Sequence, residues 1–133
     1  MKLIPAYQAS ENQIDQFLHK NQNVEKDSLL QMGYVVEIQD QIEGCFILEA
    51  MDEGVYWLKQ LYITKSEAAK LPILLESILT LAKKQQAKRV YVHSHQPVVD
   101  ILLEALQFRP QKEKVFVDKY NADQGSWWSY SVS

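Results

Sequence analysis

Two histidines, His93 and His95, stand one residue apart with Ser94 between them. In an extended segment the side chains at i and i+2 share a face, so the two imidazoles project together. Imidazole titrates near neutral pH, so either ring can take or give a proton during a reaction. The pair has the donor chemistry for a metal as well. A metal site needs a third protein ligand, however, and none is spaced to join them, so no metal is expected. Ser94 is not part of a G-x-S-x-G elbow, which leaves a serine hydrolase without support. A pair of histidines beside a turn needs no function at all, and the spacing alone does not choose between these readings.

Other groups carry a weaker signal. Glu49, Asp52 and Glu53 cluster near a turn, where they would attract a cationic amine or simply face water. Lys83, Lys84, Lys88 and Arg89 form the densest run of positive charge. At the end of a helix such residues complement the dipole, and this is the simpler account of them. Cys45, the one cysteine, lies in an apolar run and reads as a buried structural thiol. Trp127 and Trp128 fall on opposite faces of a strand. One is expected in the core and the other open to a ligand or partner, with Tyr120 and Tyr130 nearby.

The bulk numbers bound these choices. The chain has 133 residues, 47% of them hydrophobic and 23% charged, which suits one globular domain spanning residues 1–133. Its 17 acidic and 14 basic residues give a net charge of -3. A dedicated nucleic-acid binder needs the opposite balance, so nucleic acid is not an expected partner. The first residues lack the long apolar stretch of a signal peptide, and no run approaches the ~20 apolar residues of a membrane span. A cytoplasmic protein with no membrane partner is the expectation.

The elements that must position these groups follow from periodicity. Lys2 to Ala6 reads as a short strand, with Pro5 marking its edge or end. Ser10 followed by Gln13 forms a capping box, and Ile14, Phe17 and Leu18 make one apolar helical face. Asp27 to Met32 allows another short helix. Alternation then predicts strands over Tyr34–Ile38, Ile42–Ala50 and Val55–Ile63, with turns at Asp40-Gln41 and Asp52-Glu53-Gly54. Thr64 to Lys70 is a loop. Leu71 to Gln86 is the strongest helix, its stripe made by Leu71, Leu74, Leu75, Ile78, Leu81 and Ala82. Arg89 to Ser94 is a strand and Pro97 to Leu106 a helix. Lys114–Tyr120 and Trp127–Val132 close the chain as strands. The order is β-α-(α)-β-β-β-α-β-α-β-β, an α/β (α+β) fold with a mixed sheet.

That order resembles the GNAT superfamily of N-acetyltransferases, and the segment from Trp57 to Phe108 resembles it in detail. Leu58-Lys59-Gln60-Leu61-Tyr62-Ile63 is similar to the family's fourth strand, written L-K-R-L-Y-V after an acidic residue. Ile73-Leu74-Leu75-Glu76-Ser77-Ile78 resembles the start of its third helix, and Lys88-Arg89-Val90-Tyr91-Val92 its fifth strand. Leu102-Leu103-Glu104-Ala105-Leu106-Gln107-Phe108 resembles L-Y-E-x-L-G-F. The resemblance implies an acetyl-CoA co-substrate and an acceptor amine on a small molecule or a protein, in a monomer or a homodimer. It implies that Ile63, Lys65, Ser66, Ala69, Lys70 and Leu71 bind the cofactor. It also places His93 and His95 beside the reaction cleft, and Tyr62 where it could supply an acid.

The departures are specific. The family's R/Q-x-x-G-x-G/A loop, whose amides reach the pyrophosphate, falls on Ser66-Glu67-Ala68-Ala69-Lys70-Leu71, with no glycine. Pro72 has no N–H to offer. The family's acidic residue falls on Trp57, and its L-Y-E tyrosine on Leu103. The oxyanion donor, a backbone N–H near Tyr62 and Ile63, survives because it needs no particular side chain. Two readings stand: a divergent acetyl-CoA-dependent N-acyltransferase, or a GNAT-like binding or regulatory module without catalysis.

Overall fold

Ser10 accepts a hydrogen bond from the Gln13 amide at 3.4 Å and starts the first helix, as its capping chemistry predicts. The structure is a computed structural model and describes residues 1–21, 24–94, 97–111 and 126–132. Its elements are β1 (Lys2–Pro5), α1 (Glu11–Lys20), α2 (Lys26–Met32), β2 (Gly33–Ile38), β3 (Gln41–Ala50), β4 (Val55–Ile63), α3 (Leu71–Lys84), β5 (Arg89–Ser94), α4 (Pro97–Ala105), β6 (Arg109–Gln111) and β7 (Ser126–Ser131). Short 3-10 turns occupy Ala6–Gln8 and Lys65–Lys70. The strands hydrogen-bond in the order β1-β2-β3-β4-β5-β7-β6. By compactness the chain divides into two units, Met1–Glu49 with Lys59–Leu74, and Ala50–Leu58 with Leu75–Ser133. No described helix is long and apolar enough to cross a membrane.

In the first unit, β1 pairs antiparallel with β2, and β2 with β3. The β2–β3 connection is a two-residue turn at Gln39 and Asp40, with φ of 52° and 66°. Both are left-handed, which matches the twist of a tight hairpin. The strand therefore resumes at Gln41, one residue earlier than its pattern predicts. Ile14 and Phe17 from α1 and Leu29 from α2 pack with Ala6, Val35 and Cys45 to form the core. The β2–β3 register shifts between Val36 and Glu37. Beside that shift, a Cβ on Gly44 would lie 2.6 Å from the Tyr62 carbonyl oxygen. Glycine is needed there for space, so β3 and β4 can approach closely.

In the second unit, the start of β4 runs parallel to β5, from Val55↔Arg89 to Leu58↔Val92. β7 pairs antiparallel with both β5 and β6. The turn before β4 carries Glu53 at φ 57° and Gly54 at φ 80°. Leu75, Ile78 and Ala82 of α3 and Leu103 of α4 are buried, as their periodicity predicts. Both helices end the same way. Gln86 at φ 65° lets the Ala87 amide donate to the Ala82 carbonyl, and Gln107 at φ 71° lets Phe108 donate to Leu103. This six-to-one closure stops each helix and turns the chain back, and it usually employs glycine. It ends α3 at Lys84, two residues before the pattern predicts.

Two expectations need correction or completion. Trp127 and Trp128 do lie on opposite faces, but both are buried, at 5% and 7% exposure. The Trp127 ring meets Trp57 and His93, while the Trp128 indole donates to the Asp100 carboxylate on α4 at 3.0 Å. The expected strand over Lys114–Tyr120 lies outside the described residues. β6 at Arg109–Gln111 carries no sequence signal, because it is three residues long and contains Pro110.

Two substitutions have opposite expected signs. Gln107→Gly should raise the unfolding free energy by about 0.5–1 kcal/mol, since only glycine adopts the left-handed region without cost. Gly44→Ala should lower it by about 1–3 kcal/mol through overpacking against the Tyr62 carbonyl. Urea denaturation of the two variants beside the wild type checks both.

Candidate functional site

In the first unit, β4 is broken near its middle. Gln60 has φ of 53°, a left-handed residue inside a strand, which re-aims the chain that follows. Its carbonyl accepts a long bond from the Cys45 thiol at 3.8 Å. Its side-chain Oε1 is buried without a partner among the described residues. Just before the break, Lys59 pairs with Glu49 at 2.9 Å, and both side chains are about three-quarters buried. Glu49 therefore carries a fixed counter-charge rather than an open carboxylate. Tyr62 packs edge-on against Phe17, with ring centroids 5.8 Å apart, on the border of the core.

The end of β4 is clamped. The Thr64 amide donates to the Glu43 carbonyl at 2.8 Å, and the Thr64 hydroxyl donates to the Glu43 carboxylate at 2.6 Å. Ser66 Oγ lies 3.4 Å from the same hydroxyl. A polar groove of about 590 Å³ opens here, with Thr64, Ser66, Gln41, Gln13, Gln16 and Lys20 among its walls.

Residues Lys65–Lys70 wind as a 3-10 helix straight into α3 rather than forming the expected loop. The Leu71 amide donates to the Ala68 carbonyl, and Pro72 has no amide. The preceding turn thus consumes a donor that an isolated helix start would leave for an anion. Lys70 pairs with Glu67 at 2.8 Å, whereas Lys65, Ser66 and Ala69 are exposed. Ile63 ends β4 and is half-buried.

In the second unit, His93 is opposite Trp127 in the β5–β7 register. The two ring centroids lie 4.8 Å apart with the planes tilted by 42°, and His93 Nε2 is buried. Trp57 completes the cluster, 5.7 Å from Trp127. Leu103 is fully buried and serves as a core residue. His95 lies outside the described residues. Among the described residues no group of three His, Cys, Asp or Glu side chains is arranged to hold a metal ion. The break at Gln60, the Glu43–Thr64 clamp and the Glu49–Lys59 pair escape sequence reasoning. Gly44, in an otherwise apolar strand, is the one sequence hint of the close approach.

No family model matches this sequence, and no curated protein does. Solved structures do match in fold. Rv2747 from Mycobacterium tuberculosis, solved in complex with CoA, has a TM-score of 0.78 at 12% identity, with 100% of each chain covered. A GNAT-family acetyltransferase from Staphylococcus aureus has a TM-score of 0.71 at 15% identity, covering 99% of each. The N-acetyltransferase PseH from Campylobacter jejuni, in complex with acetyl coenzyme A, has a TM-score of 0.71 at 13% identity, covering 99% of each. The chain has the GNAT fold, in the mixed-sheet arrangement that its element order and the Trp57–Phe108 segment suggest.

Burial pushes the Cys45 thiol from an ordinary 9.0 up to about 12. The native state thus holds a proton that the unfolded state gives up first. The stability this contributes is complete below the unfolded value of 9.0 and is lost as pH rises toward about 12. Wild type should therefore lose unfolding free energy across that alkaline window faster than Cys45→Ala. Urea melts at several alkaline pH values, with the two proteins side by side, test this.

Proposed function

We propose that this protein is a divergent N-acyltransferase that moves an acetyl group from acetyl-CoA to an amine on a small molecule or a protein. The observation that carries the reading is the end of β4 in a chain with the acetyltransferase fold. A left-handed break at Gln60 is followed by a clamped turn and a polar groove beside Thr64 and Ser66. In this reading the whole chain works as a single domain.

The chemistry has four requirements. The acceptor nitrogen must lose a proton as it attacks the thioester carbonyl, and His93 or His95 takes it. The developing oxyanion needs a donor that is already in place, and the Ile63 backbone N–H supplies it. The departing thiolate needs a proton, from Tyr62 or from water. The phosphates of CoA need cations and donors. Lys65 and Ser66 provide them from the exposed side of the 3-10 turn, with Ala69, Lys70 and Leu71 lining the approach.

The phosphate contacts differ in kind from a glycine-loop cradle. The Leu71 amide is spent and Pro72 has none, so side chains must do more of the holding. Glu67 opposes them, because it neutralises Lys70 and adds a negative charge of its own. A second reading rests on these same facts and on buried Leu103: a module that keeps the fold and binds a partner without turning over.

Thermal unfolding with and without acetyl-CoA separates the two. Binding at a concentration near one hundred times Kd should stabilise by about 2.7 kcal/mol, a rise of several degrees. Glu67→Gln should tighten that binding a few-fold by freeing Lys70. Absence of any rise in both proteins overturns the transferase and leaves the binding module. Where binding is present, His93→Gln should lower kcat at least about tenfold and remove the near-neutral limb of its pH profile.

A further inference from the structure

The groove beside Thr64 has two walls of opposite charge. On α1, Gln13, Gln16, Phe17 and Lys20 recur at i, i+3, i+4 and i+7, so they share one helical face. Phe17 meets the Tyr62 ring on β4. Thr64 is still extended, with φ of -64° and ψ of 154°, so its side chain shares a face with Tyr62 and turns toward α1. Ile42 packs against the core that contains Phe17. Glu43 reaches the same side through a bulge. Val36 pairs with Gly44 and Glu37 with Ile42, which leaves Glu43 as the extra residue between them. Its carboxylate accepts from the Thr64 hydroxyl at 2.6 Å. Asp40, in the left-handed hairpin turn, also lines the sheet-side wall.

Lys20 therefore stands on the helix wall, and Glu43 and Asp40 on the sheet wall. Elsewhere in this unit opposite charges have closed on each other, Lys26 on Asp15, Lys59 on Glu49 and Lys70 on Glu67. Across the groove they have not. Among the described residues, the side chains of Lys20, Asp40, Gln13 and Gln16 make no ion pair or hydrogen bond. Glu43 keeps its Thr64 contact and still has room to accept, because one carboxylate takes several hydrogen bonds. The space between the walls is about 590 Å³, within the usual range for small-molecule sites. A ligand with a single charge is attracted by one wall and repelled by the other. A ligand carrying both charges satisfies both walls at once. Gln13 and Gln16 each offer a donor and an acceptor, which suits a neutral polar group.

We propose that this groove takes the acceptor, and that the acceptor is a free α-amino acid with a neutral polar side chain. Its ammonium faces Glu43 and Asp40, its carboxylate faces Lys20, and its side chain meets Gln13 and Gln16. This rests on the transferase reading, in which Ile63, the residue before Thr64, supplies the oxyanion donor. The ammonium gives one proton to water, and the amine attacks the thioester carbonyl. The C–N bond forms as the C–S bond breaks, the nitrogen loses a second proton to the base, and the thiolate takes one up. The products are the N-acetyl amino acid and CoA thiol. An amine on a protein side chain has no carboxylate beside it for Lys20.

The test is amide NMR on isotope-labelled protein, titrated with L-serine, L-threonine, L-asparagine and L-glutamine in turn, with and without saturating CoA. At least one should give saturable shifts at Lys20, Asp40 and Thr64, and CoA should not displace it. The same amino acid with its carboxylate amidated, or with its nitrogen acetylated, should bind about tenfold more weakly. Lys20→Gln should weaken the free amino acid about tenfold and leave the amidated form unchanged, and Lys20→Arg should restore binding. Asp40→Asn should weaken the free amino acid and leave the acetylated form unchanged. Lys20 and Asp40 are exposed, and the amide spectrum of each variant reports that it has folded. Absence of saturable shifts with all four amino acids overturns the proposal. So does equal affinity for the free and amidated forms, or an equal loss of both in Lys20→Gln. Displacement by CoA overturns it too, since the groove would then belong to the co-substrate. CoA binding without amino-acid binding overturns this inference alone and leaves the transferase standing. Amino-acid binding in a protein that ignores CoA overturns both, because the ligand is then no acceptor.

Discussion

The tight approach of β3 to the end of β4 is the constraint on which the candidate site depends. Gly44 makes it possible by leaving room for the Tyr62 carbonyl. Glu43, next in the chain, then holds Thr64 through both its backbone and its carboxylate. The charge-assisted hydroxyl contact is the stronger kind of hydrogen bond, and it is only partly exposed to competing water. With Thr64 held, the 3-10 turn and the first residues of α3 have a defined starting point. Removing the space at Gly44 or the acceptor at Glu43 would release the strand end that the proposed chemistry needs.

Left-handed backbone recurs where the chain must change direction, and glycine is seldom the residue that adopts it. Gln39 and Asp40 make the first hairpin turn, Gln60 breaks β4, and Gln86 and Gln107 close α3 and α4. Each such residue costs of order 1 kcal/mol or more, which the surrounding packing must offset. At Gln107 the strain sits where L-Y-E-x-L-G-F has its glycine, so the chain keeps the conformation while losing the residue that makes it cheap. Gln60 differs in kind, because a break inside a strand serves no helix end or hairpin. It sets the direction of Leu61 to Ile63 instead.

Charge is arranged unevenly. Around β4 and the turn after it, Lys59 is matched by Glu49 and Lys70 by Glu67, while Lys65 is exposed. The Glu49–Lys59 pair is well shielded from water, so it fixes geometry as well as charge. At the Arg89 end of the second unit, strand register places Arg89 and Arg109 on one sheet face.

Much of the fold was legible because burial imposes periodicity on sequence. The Ser10 cap, the apolar stripe of α3 and the alternation in β2 to β5 each follow from local rules, and each appears within a residue or two of its expected place. The similarity of Trp57–Phe108 to GNAT enzymes was likewise a matter of residue order. What local rules cannot reach is any feature in which two distant residues meet. The sequence shows a serine, a glutamate and two alanines after Thr64, but only the folded chain shows that they wind into α3 and spend the Leu71 amide. It shows Trp127 and Trp128 on opposite faces, but the partners that bury both, His93 and Trp57 on one side and Asp100 on the other, lie far along the chain. Arg89 and Arg109 are twenty residues apart, and strand pairing through β7 brings them to one sheet face. Composition and spacing thus determined the elements and their order, because each element answers to its own buried face. Tertiary structure decided the site, because a site is set by register, and register belongs to pairs of strands rather than to either one.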